Sequence, residues 1–145
     1  MSICTDFIIH NGRKIRLGDT VQLTKEILEA DFFKYAEASG DFNPIHLNKE
    51  YARKSIFGRR IAHGLLCTGM ISALLGNSLP GEGTLILRED LSFLRPVYEG
   101  DTITASVQVT EIGLEKNRIT LGVCCKNQDG IDVLNGRVFT KVLEE

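Results

Sequence analysis

From Thr102 onward the chain alternates: Ile103, Ala105, Val107 and Val109 are separated by Thr104, Ser106 and Gln108, and Ile119, Leu121 and Val123 repeat the pattern after a turn near Gly113. A period of two predicts strands with one buried face. Asp129-Gly130 predicts a hairpin turn before a last strand ending near Leu143. Upstream the pattern is helical. Glu29 to Ser39 carries helix formers with apolar residues at Phe32, Phe33 and Ala36, and Gly40 suits its C-terminal cap. Pro44 is expected to break any helix, after which Asn48 can cap a short second one through Glu50, Tyr51 and Ala52. The segment from Ala62 to about Ser78 is apolar on nearly every side, which marks a helix surrounded by protein. Gly69, Ser72, Ala73 and Gly76 form one narrow face along it, expected to let a sheet approach closely, and Pro80, Gly81 and Gly83 end it. The residues up to Ile27 read as irregular or strand-like. Helices first and consecutive strands afterwards predict an α+β domain, with an antiparallel sheet curled around the long central helix.

Composition narrows this without naming a fold. At 145 residues, 43% hydrophobic and 25% charged, the chain fits one domain, residues 1–145. A domain of that size buries roughly two thirds of its unfolded surface and needs no disulfide or structural metal. Cys4, Cys67, Cys124 and Cys125 contain no C-x-x-C pair and read as reduced thiols. Met1 to His10 lacks the basic and apolar regions of a secretory signal, so a cytoplasmic location is expected. The strongly apolar run from Leu65 to Leu75 is too short to cross about 30 Å of hydrocarbon, so no membrane partner is expected. A net charge of -2 and the lack of a recognition motif point away from nucleic acid. Arg53, Lys54, Arg59 and Arg60 form a basic cluster that reads either as a solvated surface or as a docking patch for phosphates.

The chemistry concentrates in Ser39-Gly40-Asp41-Phe42-Asn43-Pro44-Ile45-His46, where a carboxylate and an imidazole stand five residues apart on a segment that cannot be regular helix. Gly40 frees the backbone before the acid and Pro44 stiffens it after, so both side chains can meet one small molecule. The competing reading is that Asp41 and Asn43 bond the local backbone, as turn residues do, with His46 a satisfied polar group beneath them. A calcium loop fails, because Pro44, His46 in place of the needed glycine and Ala52 in place of the bidentate glutamate break its pattern. Zinc fails because His10 and His63 form no spaced set with His46. No G-x-S-x-G elbow is present, and Gly81-Glu82-Gly83 lacks the third glycine of a dinucleotide loop. Arg60-Ile61-Ala62-His63-Gly64 leads straight into the apolar helix, so the Gly64 N–H and the helix dipole can meet a ligand oxygen that acquires negative charge. His63 reads as structural.

GDFNPIHL, followed by FGRRIAHGLL and then by SFLRPVYEGD at Ser92 to Asp101, resembles the MaoC-like family of R-specific enoyl-CoA hydratases and related dehydratases, from about Gly18 to the C-terminus. Residues 1–17 fall outside the resemblance and are expected to be peripheral. The resemblance implies a hotdog fold, a homodimer whose two sheets join, and an acyl-thioester tunnel at the interface. It also implies that Asp41 and His46 hold the reacting water, that the Gly64 N–H receives the thioester carbonyl, and that Ser72 lies near the site. Asn43, with Arg59 and Arg60 of the basic cluster, joins Ser72 as an expected substrate-binding residue. The substrate that the resemblance implies is an acyl-CoA or acyl carrier protein thioester, and no cofactor or metal is expected, because such a thioester already makes the alkene electrophilic. A hotdog thioesterase would carry an acid within its central helix, and none lies between Ala62 and Leu79. A non-catalytic hotdog subunit is the remaining alternative.

Overall fold

The computed structural model describes residues 7–143. Three strands, β1 (Phe7–His10), β2 (Arg13–Arg16) and β3 (Thr20–Glu26), precede helices α1 (Glu29–Ser39), α2 (Pro44–Leu47), α3 (Lys49–Arg53) and α4 (Gly64–Asn77). Strands β4 (Thr84–Phe93), β5 (Thr102–Gly113), β6 (Arg118–Lys126) and β7 (Asp132–Val142) follow. The main sheet is antiparallel in the order β3-β5-β6-β7-β4, so β3 and β4 are its edges. The predicted alternation is observed: Ile103, Ala105, Val107 and Val109 of β5 are buried, as are Ile119, Leu121, Val123 and Cys125 of β6. The Asp129-Gly130 turn joins β6 to β7, with Gly130 in the left-handed region.

Helix α4 lies on this inner face and contacts β5, β3 and β4. Cys67, Met70, Ile71, Leu74 and Leu75 recur at helical spacing and are buried in one hydrophobic cluster with the sheet residues. Each such fully buried aliphatic side chain stabilises the fold by about 1.5–3 kcal/mol. The small-residue face does not meet the sheet, contrary to the expectation from sequence. Gly69 and Ser72 are exposed, and a Cβ built on Gly69 or Gly76 would meet open space. The large residues took the sheet side because they remove more apolar area from water. Strand β4 is likewise uncovered: none of its residues is buried, although it pairs with β7 along its length.

Residues 7–16 are not peripheral. Strands β1 and β2 pair as a hairpin whose Ile8 and Ile15 enter the same core cluster as α4. The Arg13 guanidinium donates to the Ser78 carbonyl, and the His10 Nε2–H donates to the Glu82 carbonyl at 2.6 Å. The hairpin therefore closes the C-terminal end of α4. Cys67, Cys124 and Cys125 are free thiols, while Cys4 lies outside the described residues. Among the described residues, no helix is long and apolar enough to cross a membrane.

Candidate active site

Local backbone chemistry builds the Asp41–His46 segment. Gly40 ends α1 at φ 80°, donating its N–H to Ala36, and the left-handed turn sends the chain away from the helix axis. The Ser39 hydroxyl donates to the Tyr35 carbonyl and accepts the Asp41 N–H. Asp41 Oδ1 accepts the Asn43 N–H at 3.1 Å, and Asn43 Oδ1 accepts the Ile45 N–H at 3.3 Å. Pro44 starts a helical turn instead of only ending one. At the first helical position its missing N–H costs nothing, and Asn43 caps the turn on which His46 sits. The turn reading of this loop is observed: Asp41 and Asn43 bond the backbone, and one Asp41 oxygen takes no part in those turns.

His46 is half-buried, and its Nδ1–H donates to the Ile61 carbonyl at 2.7 Å. That bond fixes the tautomer and leaves Nε2 as an acceptor. The acceptor carbonyl is itself held, since the Ile61 N–H donates to Ile45 and the next residue, Ala62, donates to Val97 at 2.7 Å. His63 is 2% exposed, and its ring stacks on His46 with centroids 3.9 Å apart and planes inclined by 29°. One ligand-type atom each from Asp41, His46 and His63 lies within 4.8 Å of the others. Distance alone would permit a metal ion there. The stacking does not suit one, because ring planes so nearly parallel meet far beyond the roughly 2.1 Å reach of a nitrogen–metal bond.

Gly64 opens α4, and His63 at the N-cap makes no side-chain capping bond. Among the described residues the Gly64 N–H meets no acceptor, so it and the positive end of the helix dipole are free for a ligand. A Cβ on Gly64 would come within 2.9 Å of the Phe93 ring, so glycine keeps this approach open. His46, His63 and Gly64 border a cavity of about 340 Å³. Its remaining walls are mainly apolar, with Phe93, Leu94, Val97 and Leu134 among them. Cys67, one turn along α4 from Gly64, also lines it. The Ser92 to Asp101 motif carried part of the resemblance in sequence, but the place of its residues 93–97 in the cavity wall depends on the end of β4 meeting the start of α4, which no local pattern encodes.

The other expected residues lie apart. Ser72 is about two helical turns from Gly64, exposed, and outside the cavity wall. Arg59 stacks over the Tyr98 ring at 3.7 Å and remains exposed. Arg60 must be removed from the phosphate-docking surface: it is 6% exposed, paired with Glu29 at 3.3 Å and Glu99 at 3.4 Å, and donates to the Leu47 carbonyl. A buried guanidinium needs such partners, and these occupy it.

An apolar cavity bordered by an imidazole and a free helix N–H, with the Asp41 carboxylate close to that imidazole and a sheet wrapped on one helix, is the arrangement of a hotdog-type protein. Residues 9–126 match the MaoC like domain, and the chain belongs to that family. It is 43% identical to the (R)-specific enoyl-CoA hydratase of Rhodospirillum rubrum, over 83% of each chain. It is 42% identical to the 3-hydroxybutyryl-CoA dehydratase of Methylorubrum extorquens, over 88% of this chain and 81% of that one. The fold superposes on the unliganded R-hydratase PhaJ1 of Pseudomonas aeruginosa with a TM-score of 0.85 and 38% identity, covering 91% of this chain and 84% of that one.

Proposed function

We propose that this chain is a hydratase that adds water reversibly to a trans-2-enoyl-CoA, giving the (R)-3-hydroxyacyl-CoA. The observation that carries the reading is the grouping of Asp41 with His46 and His63, one ligand-type atom of each within 4.8 Å of the others, next to an apolar cavity bordered by His46 and the uncapped start of α4. The handedness and the CoA carrier rest on the relatives at 42 and 43% identity. The single domain rests on the shared core of hairpin and sheet. The free thiols fit a cytoplasmic place of action.

Hydration requires a water activated toward C3, a proton delivered to C2, and stabilisation of the charge that builds on the thioester oxygen. In this reading Asp41 and His46 Nε2 share the water. As its oxygen bonds to C3, a proton passes to the acid-base pair, the C2=C3 electrons shift toward the carbonyl, and C2 then takes a proton back. The Gly64 N–H and the α4 dipole hold the oxygen charge between these events. Asn43 acts here through the loop it caps, and the cavity wall takes the acyl chain.

The test is a panel of enoyl-CoA and enoyl-acyl carrier protein substrates of rising length, followed by loss of enoyl absorbance. Hydration of short enoyl-CoA is expected. A purified protein that hydrates neither carrier's substrates sinks the reading. Asp41→Asn and His46→Gln should each lower kcat/KM by about 10²- to 10⁴-fold with the melt unchanged. Because both serve one water, the double variant should lose far less than the product of the single losses.

A further inference from the structure

His63 occupies a helix N-cap position without capping the helix. Ser, Thr, Asp and Asn favour this position because their side chains bond the first N–H groups, which would consume the donors that α4 offers to a ligand. The His63 ring turns the other way. Its Nε2–H donates to the backbone carbonyl of Asp41 at 3.1 Å, across 22 residues of chain. Its Nδ1 is buried without a hydrogen-bond partner among the described residues. One face of the ring stacks on His46, and the ring also packs against Tyr35 at 4.5 Å, tilted by 48°. A single side chain therefore touches both halves of the acid-base pair, one through its backbone and one through its ring.

An unpartnered buried nitrogen is costly and calls for a compensating use. Packing alone would be served better by a phenyl ring, which fills the same space with no orphan acceptor. The distinguishing feature of the imidazole here is the tether to Asp41. Resting on the hydratase reading, we propose that His63 is a positioning residue: as a neutral Nε2–H imidazole it fixes the Asp41 backbone and the His46 ring relative to each other, and so sets kcat. Misplacing a reacting group by about 1 Å can cost roughly 10²-fold in rate.

Two variants separate the tether from the stack. His63→Phe keeps an aromatic ring against His46 and deletes the donor; His63→Gln deletes the ring and keeps an amide N–H that can reach the Asp41 carbonyl. His63→Phe should lower kcat by about 10²-fold with KM within about twofold, and His63→Gln should recover at least about tenfold of that loss. A folded His63→Phe with kcat within about threefold of wild type overturns the proposal, as does a loss expressed in KM alone. The chain contains three histidines, so their imidazole nitrogens are resolvable by long-range proton–nitrogen spectra. Wild-type His63 should be a neutral Nε2–H ring at pH near 7, with a bare Nδ1; a charged or Nδ1–H ring overturns the proposal even if neither variant folds. Wild-type protein inactive on every enoyl thioester would instead defeat the hydratase reading, and the shift of His46 resonances in His63→Phe would still report whether the two rings are coupled.

Discussion

At the residue scale, the Gly64 N–H can be tested without disturbing the helix that carries it. Proline is well tolerated at the first position of a helix, where the N–H has no intrahelical partner, and His63 already has the extended φ and ψ, -58° and 131°, that precede a proline comfortably. Gly64→Pro therefore removes the proposed oxyanion donor at little cost in folding. Its ring also brings a Cβ toward Phe93, so Gly64→Ala is the control: the Phe93 side chain is exposed and can yield. Gly64→Pro should have a kcat about 10²- to 10³-fold below that of Gly64→Ala, the range seen when one oxyanion donor is lost. Equal rates in steady-state kinetics of the two folded variants would show that the N–H does not act on the reaction. His63 supplies a second test. Burial, opposed by its bond to Asp41 and reinforced by the nearby His46, holds its pKa below the ordinary 6.5. An unfolded chain takes up this proton near pH 6.5 while the folded chain does not, so this contribution to stability is complete above that pH and falls as pH drops toward the depressed folded value. Urea unfolding at about pH 7.5 and 5.5 should show a smaller loss of stability on acidification in His63→Phe than in wild type.

At the scale of elements, Arg59 and Arg60 are neighbours in sequence with separate tasks. Arg60 joins α1, through Glu29, to the end of α2, through Leu47, and to the loop at Glu99. Its acidic partners are each half exposed and can rehydrate, so Arg60→Gln should cost about 2 kcal/mol, a drop of roughly 5 °C in Tm, with KM unchanged. Arg59→Gln should leave the melt unchanged and raise KM for enoyl-CoA while flattening its salt dependence. Thermal melts and KM at two ionic strengths check both; a salt-insensitive KM in wild type would return Arg59 to an ordinary solvated surface. Nothing in the adjacent pair of arginines tells which one is buried, because the answer lies in Glu29 and Glu99, at positions remote along the chain. What sequence made legible was local: the span of α1 and its Gly40 cap, the Asn48 cap of α3, the alternation of β5 and β6, and the turn at Asp129-Gly130. The helical turn at Pro44–Leu47 was missed because proline was read only as a breaker. The packing of Ile8 and Ile15, the stacking of His63 on His46 and the outward small face of α4 all depend on which elements meet, and local periodicity carries no such information.

At the scale of the whole molecule, the apolar surface left uncovered argues for a second copy. Strand β4 is an edge of the sheet with Leu85 and Leu87 each 46% exposed, and Leu65 on α4 is 53% exposed beside the open small-residue face. Helix α4 has the composition of an enclosed helix but is covered on one side only, which is the state expected of an element completed by another chain. An exposed ten-residue edge strand that carries the apolar run Leu85-Ile86-Leu87 is also an aggregation hazard unless it is paired. We therefore propose a homodimer in which β4 pairs with β4 of the other copy about a two-fold axis, bringing the sheets into one and laying the α4 small faces close together. Cavity-lining Phe93 and Leu94 stand at the end of that strand, so pairing would also fix one wall of the cavity. Light scattering at micromolar concentration should give twice the mass of the chain. Leu85→Lys combined with Leu87→Lys places charge on the edge and should yield monomers whose hydration rate falls with the loss of that wall. A wild-type chain that is a stable monomer under these conditions and hydrates enoyl-CoA at full rate would show that β4 and the open face of α4 have no part in assembly.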